Sequence, residues 1–339
     1  MDKISLLLVV VVVAMQFPKP ASAADDYTVP RTEWNHPDLQ GVWNFSSEVP
    51  MQRPEQYGER QFLTEEEIAA SQAEPLRIGR PDTLRSTASG IEAFYNDTIW
   101  MENIDTQGAV RTSHIVYPAN GRIPPLVDGI EHLPGGSGRI DGQRPVRFAV
   151  GGISRDGPED RGLSERCIVG FNAGPQLMPS VYNNNIQIVQ NRDHVVILTE
   201  MIHDARVVRL GEQPVLDQDL GMWSGDSSGY WEGDSLVVVT RNFNGLTQSF
   251  EGYGSSKNKV LTEQFSRVGP RTIDYQFTIE DPATFTDKLT AIVPITKVDS
   301  QLFEYACHEG NYGMANMLRA ARRREAQQVS DRVADIFRQ

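Results

Sequence analysis

From residue 177 to residue 308 the chain is a succession of short apolar runs broken by turn-forming positions, and this pattern constrains the fold more than any other feature. The clearest run is 272–280, where Ile273, Tyr275, Phe277 and Ile279 alternate with polar neighbours, the period expected of a strand with one wet face. Further strands are expected at 185–190, 194–210, 229–231, 235–242 beyond the Glu232-Gly233-Asp234 turn, 260–268, 289–297 and 301–308. So many turn-linked strands imply an antiparallel meander, which must close on itself or pack on a second sheet to hide its edges.

The flanks read differently. Residues 24–174 are rich in Pro, Gly and charge and are expected to wrap around the 175–312 strands as long loops. They contribute early strands at 41–45 and 111–117, and Thr64 with Glu67 makes a capping box for a short helix. In 313–339, Met317, Leu318, Ala321, Val329, Val333 and Ile336 fall at helical spacing, so a C-terminal helix is expected, with Arg319, Arg322, Arg323 and Arg324 on a solvated face. Residues 1–23 have the parts of a secretory signal peptide: Lys3, an apolar run from Ile4 to Met15, and Ala21-Ser22-Ala23. That run is too short to span a bilayer and no later one approaches the length, so a periplasmic or secreted protein without an integral membrane segment is expected. A net charge of −13 repels phosphate backbones and argues against a nucleic-acid partner.

Two cysteines, Cys167 and Cys307, in a chain bound for an oxidising compartment are expected to pair. A zinc site of Cys167, Cys307 and His308 is the alternative, although the spacing lacks the paired CxxC of specific zinc motifs. Gly225-Asp-Ser-Ser-Gly229 matches G-x-S-x-G by letter, but strands on both sides leave no room for the strand-to-helix elbow of a serine hydrolase. The glycine loop at 135–138 lacks the context of a phosphate loop, and Asn96-Asp97-Thr98 is a sequon in a polar loop.

Pro37-Asp-Leu-Gln-Gly-Val-Trp43, Glu165-Arg-Cys167, Tyr182-Asn-Asn184, Ile202-His-Asp-Ala-Arg206, Trp231-Glu-Gly-Asp-Ser-Leu-Val-Val238 and Tyr305-Ala-Cys-His-Glu-Gly-Asn-Tyr312 together resemble a widespread, mostly functionally unnamed group of secreted bacterial proteins. The resemblance strengthens the Cys167–Cys307 pairing. Gly41-Val-Trp43 is also similar to the first-strand Gly-x-Trp of lipocalin-like (calycin) barrels, which implies a mainly β, lipocalin-like barrel with a cavity for an apolar small molecule.

Within that frame the stretch Thr199-Glu-Met-Ile-His-Asp-Ala-Arg-Val207 stands out, because it places Glu200, His203, Asp204 and Arg206 in an aliphatic strand. On a regular strand Val195, Ile197, Thr199, Met201 and His203 share one face, and Glu200, Ile202, Asp204 and Arg206 the other. Two readings stand side by side: an ion-pair ladder with a core histidine, or a cavity wall on which His203 acts as general acid or base with a carboxylate nearby. If Cys167 bonds Cys307, Arg166 comes close to His308 and Glu309. Tyr182 and Asn184 offer hydrogen-bond donors, although an Asn run more commonly forms a turn. Trp223, Trp231, Phe243 and Tyr253 are either core aromatics or the lining of a pocket mouth.

The resulting expectation is an enzyme free of metal and cofactor, performing dehydration, isomerisation or cyclisation on a hydrophobic small molecule. Its catalytic candidates are His203, Glu200, Asp204, His308 and Glu309, with Arg206, Tyr182, Asn184, Arg166 and Trp223 as ligand contacts. A non-catalytic lipocalin-like binding protein is the alternative.

Overall fold

A computed structural model of the chain describes residues 27–73, 110–132, 151–180, 182–211, 216–217 and 219–338. The expected signal peptide, the sequon at 96–98 and the glycine loop at 135–138 lie outside them. Among the described residues ten strands form: β1 (Gly41–Asn44), β2 (Ile115–Tyr117), β3 (Asn185–Gln190), β4 (His194–Thr199), β5 (Ala205–Leu210), β6 (Asp226–Glu232), β7 (Ser235–Arg241), β8 (Val260–Gly269), β9 (Thr272–Glu280) and β10 (Leu289–Val298). β1 and β3 to β10 hydrogen-bond in sequence, and β1 also pairs with β10, so nine strands close into a barrel. β2 adds to β10 beside β1. The mainly β, lipocalin-like barrel with a C-terminal helix expected from the sequence is therefore the observed architecture.

One pairing departs from a pure antiparallel meander. β5 and β6 run parallel, with Arg209 opposite Ser228 and Leu210 opposite Gly229. Strand directions cannot alternate all the way round an odd-membered ring, so one parallel neighbour pair is obligatory. Gly229 permits the close approach, because a Cβ there would lie 2.8 Å from Val208 Cγ1.

The expected single strand at 194–210 is two strands. β4 and β5 form a hairpin, with Ile197 opposite Arg206 and Leu198 opposite Ala205, and the chain turns through the 3-10 segment Met201–His203. No Gly, Pro or Asn marks this turn, and Ile202 (φ 62°) and His203 (φ 47°) occupy left-handed backbone that a β-branched residue strongly disfavours. Tertiary packing overrides that preference: Met201 and Ile202 bury against Ala173, with Phe171, Tyr182 and Cys307 packed around them. Glu200 N–H also donates to Asn185 O (2.9 Å), and Tyr305 N–H to Glu200 O (3.2 Å). The expected strand at 301–308 is irregular, since closure of the barrel by β1 on β10 leaves it no free edge.

The two rims differ. Tight turns at 190–194, 232–235 and 269–272 make one rim plain. The other rim carries the 200–204 turn and the connections 242–259 and 281–288. Trp43 is fully buried, with Nε1 donating to Leu39 O (2.8 Å) and the Arg267 and Lys297 cations over its rings. Ile186, Ile197, Val208, Val238, Phe265, Ile273, Phe277 and Val293 fill the interior with it. Nine strands enclose little more than the width that side chains can fill, and these side chains pack against one another across it.

At the N-terminal side the capping box forms as expected: Glu67 N–H donates to Thr64 Oγ1 (3.2 Å) and Thr64 N–H to Glu67 Oε2 (2.8 Å), starting α1 (Glu65–Ala73). At the other end α2 (Tyr312–Ile336) is capped by Asn311, whose Oδ1 accepts from Met314 N–H, and none of its residues is buried. Arg319, Arg323 and Arg324 are exposed on it, as a solvated face requires. No helix among the described residues is long and apolar enough to cross a membrane.

Cys167 and Cys307 form the expected disulfide, with Cα atoms 5.7 Å apart across 140 positions. This removes the zinc alternative, because neither sulfur is a free thiolate. The bond ties the segment before α2 to the loop before β3, beside the 200–204 turn. Opening so long a loop is expected to lower stability by about 4 kcal/mol. Urea unfolding with and without reductant checks this, and a midpoint unchanged by reduction would contradict it.

Candidate functional site

The barrel interior changes character near the loop-bearing rim. The inward face of β8 reads Leu261, Glu263, Phe265, and that of β9 reads Ile273, Tyr275, Phe277, so a carboxylate and a phenol sit among apolar side chains. Arg206, second residue of β5, points inward opposite Ile197 and meets them. Its Nη1 donates to Glu263 Oε2 and its Nη2 to Oε1 (2.9 Å), a two-pronged pair with side chains 9% and 0% exposed. Tyr275 Oη donates to Glu263 Oε1 (2.7 Å) and accepts from Leu177 N–H (3.1 Å).

Burial opposes the Arg206 charge, but the adjacent Glu263 carboxylate outweighs it and raises the guanidinium pKa above its ordinary value. Burial and then the Glu263 charge push the Tyr275 phenol well above its usual range. Both shifts favour a charged Arg206 and a neutral Tyr275. Lys259, the residue before β8, lies 4.4 Å from the centre of the Phe243 ring and donates to Ser249 O (3.3 Å). Burial brings its pKa down to about 8, against the pull of the Asp281 and Glu263 charges.

Above Arg206 a recess opens at the rim, lined by Ala173, Gly174, Pro175, Leu177, Ile197, Thr199, Asp204, Arg206 and Ser224. Its volume is about 10 Å³, room for about one water. The strap 173–177 roofs it, with Ala173 bridged to Leu177 and Leu177 buried in the main core. On the rim Ser224 Oγ donates to Asp204 Oδ2 (2.9 Å).

The structure disperses most of the residues expected to share a site. Arg206 faces inward beside Ile197, so the expected Glu200–Asp204–Arg206 ladder is absent. Glu200 instead accepts from Asn185 Nδ2 (2.9 Å), Asp204 from Ser224, and Arg206 binds Glu263. His203 is not a core histidine and is not among the residues that line the recess. It is exposed at the strained turn, with Nδ1 3.3 Å from Tyr305 O and 3.5 Å from Glu304 Oε1. His308 and Glu309 are exposed next to the disulfide, and the Arg166 Nη1 is buried without a partner near the same bond.

Tyr182 packs edge-on to Phe171 in the small cluster under the turn. Asn184 serves its own loop, giving Nδ2 to Ser180 O (2.9 Å) and taking Ser180 N–H on Oδ1 (2.8 Å), which is the turn role. Trp223 adjoins the recess residue Ser224, whereas Trp231 lies at the plain rim, so the aromatics do not line one mouth. Ser227 of the G-x-S-x-G match is buried within β6, its Oγ 2.8 Å from Thr240 Oγ1, and is no exposed nucleophile.

No protein-family model matches the chain, and the search of curated proteins found no match.

Replacing Glu263 with Gln strands the Arg206 charge in the interior and is expected to cost about 3 to 5 kcal/mol. The urea midpoint should fall with an unchanged slope. A loss below about 1 kcal/mol would show that the pair is not desolvated.

Proposed function

We propose that the protein is a secreted small-molecule-binding barrel that takes its ligand at the loop-bearing rim, in the enlarged recess above Arg206, Glu263 and Tyr275. The observation that carries this reading is a desolvated charged network inside a largely apolar barrel, directly beneath a recess. A buried ion pair commonly contributes no more to stability than apolar residues of the same volume, so its presence there is better accounted for by recognition. The ligand has an apolar body and a hydrogen-bonding head, because Ile197, Leu177 and Ala173 supply apolar walls while Asp204, Ser224 and Thr199 supply polar groups. A recess of one water's volume requires the 173–177 strap to move aside. The leader-like start of the chain and the long-range disulfide support export from the cytoplasm.

A proton-transfer enzyme at the same rim is the second reading. It rests on Asp204, whose carboxylate borders the recess, and on left-handed Ile202 and His203 immediately before it, since such strain is concentrated at functional positions. His203 itself lies outside the recess lining, so Asp204 is the group that would move the proton.

Native mass spectrometry of the full chain, after incubation with a metabolite extract of its source cells, tests both readings. One organic compound per chain is expected, with affinity at least about tenfold lower in Asp204→Asn and Ser224→Ala at an unchanged melting temperature. Conversion of that compound by the wild type, lost in Asp204→Asn, would select the enzyme. A chain that captures nothing would overturn both.

A further inference from the structure

We propose that Arg53 and Arg111 form a second binding site, for a small oxyanion such as a carboxylate or phosphate group, between the wrap segments 50–62 and 110–121. The two segments lie side by side: His114 N–H donates to Pro50 O (2.9 Å), Ile115 N–H to Met51 O (3.0 Å), Arg53 N–H to Gly121 O (2.8 Å) and Thr112 N–H to Gln61 O (2.9 Å). Arg53 is 1% exposed on this ladder. Its Nη1 is anchored, donating to Ala119 O (2.6 Å) and Gly58 O (3.3 Å). Its Nε and Nη2, by contrast, are buried with no partner among the described residues.

Those two donors are the parallel pair along one edge of the guanidinium plane, the edge that takes both oxygens of a carboxylate or of a phosphate. The same chain uses it that way twice. Arg161 gives Nε and Nη2 to Glu165 (2.8 and 3.1 Å), and Arg322 gives them to Glu325 (2.7 and 2.5 Å). Arg53 holds the same edge ready with no carboxylate on it. Leaving two charged donors dry carries the penalty of unmade bonds to an ion, so a bound anion has a strong driving force.

Gly121 makes room for the guanidinium. It sits at φ +67°, and a Cβ there would lie 2.7 Å from Arg53 Cζ and 2.8 Å from Ser113 Oγ. Arg111 supplies the second charge: it lies over the Phe62 ring at 4.8 Å and is half-buried. No acidic side chain among the described residues pairs with it, and burial, with repulsion from Arg53, lowers its pKa. The acids within electrostatic reach are Glu59 for Arg53 and Asp274, on the outer face of β9, for Arg111. His114 adds no charge, because burial holds its pKa down to about 4 and its Nδ1 is engaged with Ile292 O (2.8 Å).

Isothermal titration calorimetry of the full chain at low ionic strength, with sodium phosphate, acetate and chloride in turn, tests the site. Saturable heat is expected with phosphate or acetate and none with chloride, which lacks the paired oxygens; the stronger of the two names the ligand class. Arg111→Gln, at a half-buried position, should weaken that binding at least about tenfold. Equal heats for all three ions, no heat with either oxyanion, or an Arg111→Gln variant that binds like the wild type would each overturn the proposal.

Discussion

A closed ring of nine strands has to contain a parallel pair, and where that pair falls determines most of what is distinctive in this molecule. It falls between β5 and β6, so both strands begin at the same rim. The residues that precede them, Asp204 and Ser224, are thereby neighbours and hydrogen-bond across the rim. Arg206, one step into β5, is delivered to the interior just beneath. A parallel pair also cannot be joined by a tight hairpin. Recess, rim pair and buried guanidinium all follow from one topological constraint.

The interior chemistry then follows from dielectric. Arg206, Glu263 and Tyr275 satisfy one another, with a main-chain N–H from the roofing strap completing the phenol's partners. Such an arrangement is fully paired and rigid, yet it gains little net stability over an apolar core, since the desolvation of two ions offsets most of their attraction. The disulfide and the Met201–Ile202 cluster hold the 200–204 turn and the neighbouring loop in register above it. The strained backbone at Ile202 and His203 costs about 1 to 3 kcal/mol per residue and is maintained by that packing.

Strand content was legible because period-2 alternation is a direct signature of a half-buried strand, and Asn185–Gln190 and Thr272–Glu280 form as expected. The 200–204 turn was not legible. It contains no Gly, Pro or Asn, and long-range contacts from residues 173 and 305–307 impose it against local preference. An unbroken strand would put Arg206 on one face with Glu200 and Asp204, whereas the turn sets it opposite Ile197. Its true partner, Glu263, lies 57 positions away. A signal for Glu263 was present, since it occupies the apolar phase of Leu261-Glu263-Phe265, where a carboxylate demands a buried counter-charge. Which cation answers it could be known only from the barrel register. The Cys167–Cys307 bond was legible because only two cysteines were available to pair.

The account holds that the Arg206–Glu263–Tyr275 network exists for recognition and not for folding. The most direct test replaces all three at once with apolar groups of similar volume, Arg206→Met, Glu263→Leu and Tyr275→Phe. Stability and ligand retention are then compared with the wild type by calorimetry and native mass spectrometry. The account predicts a melting temperature equal to or above that of the wild type, together with loss of the bound compound. A triple variant that fails to fold, or one that folds and keeps the compound, would contradict it.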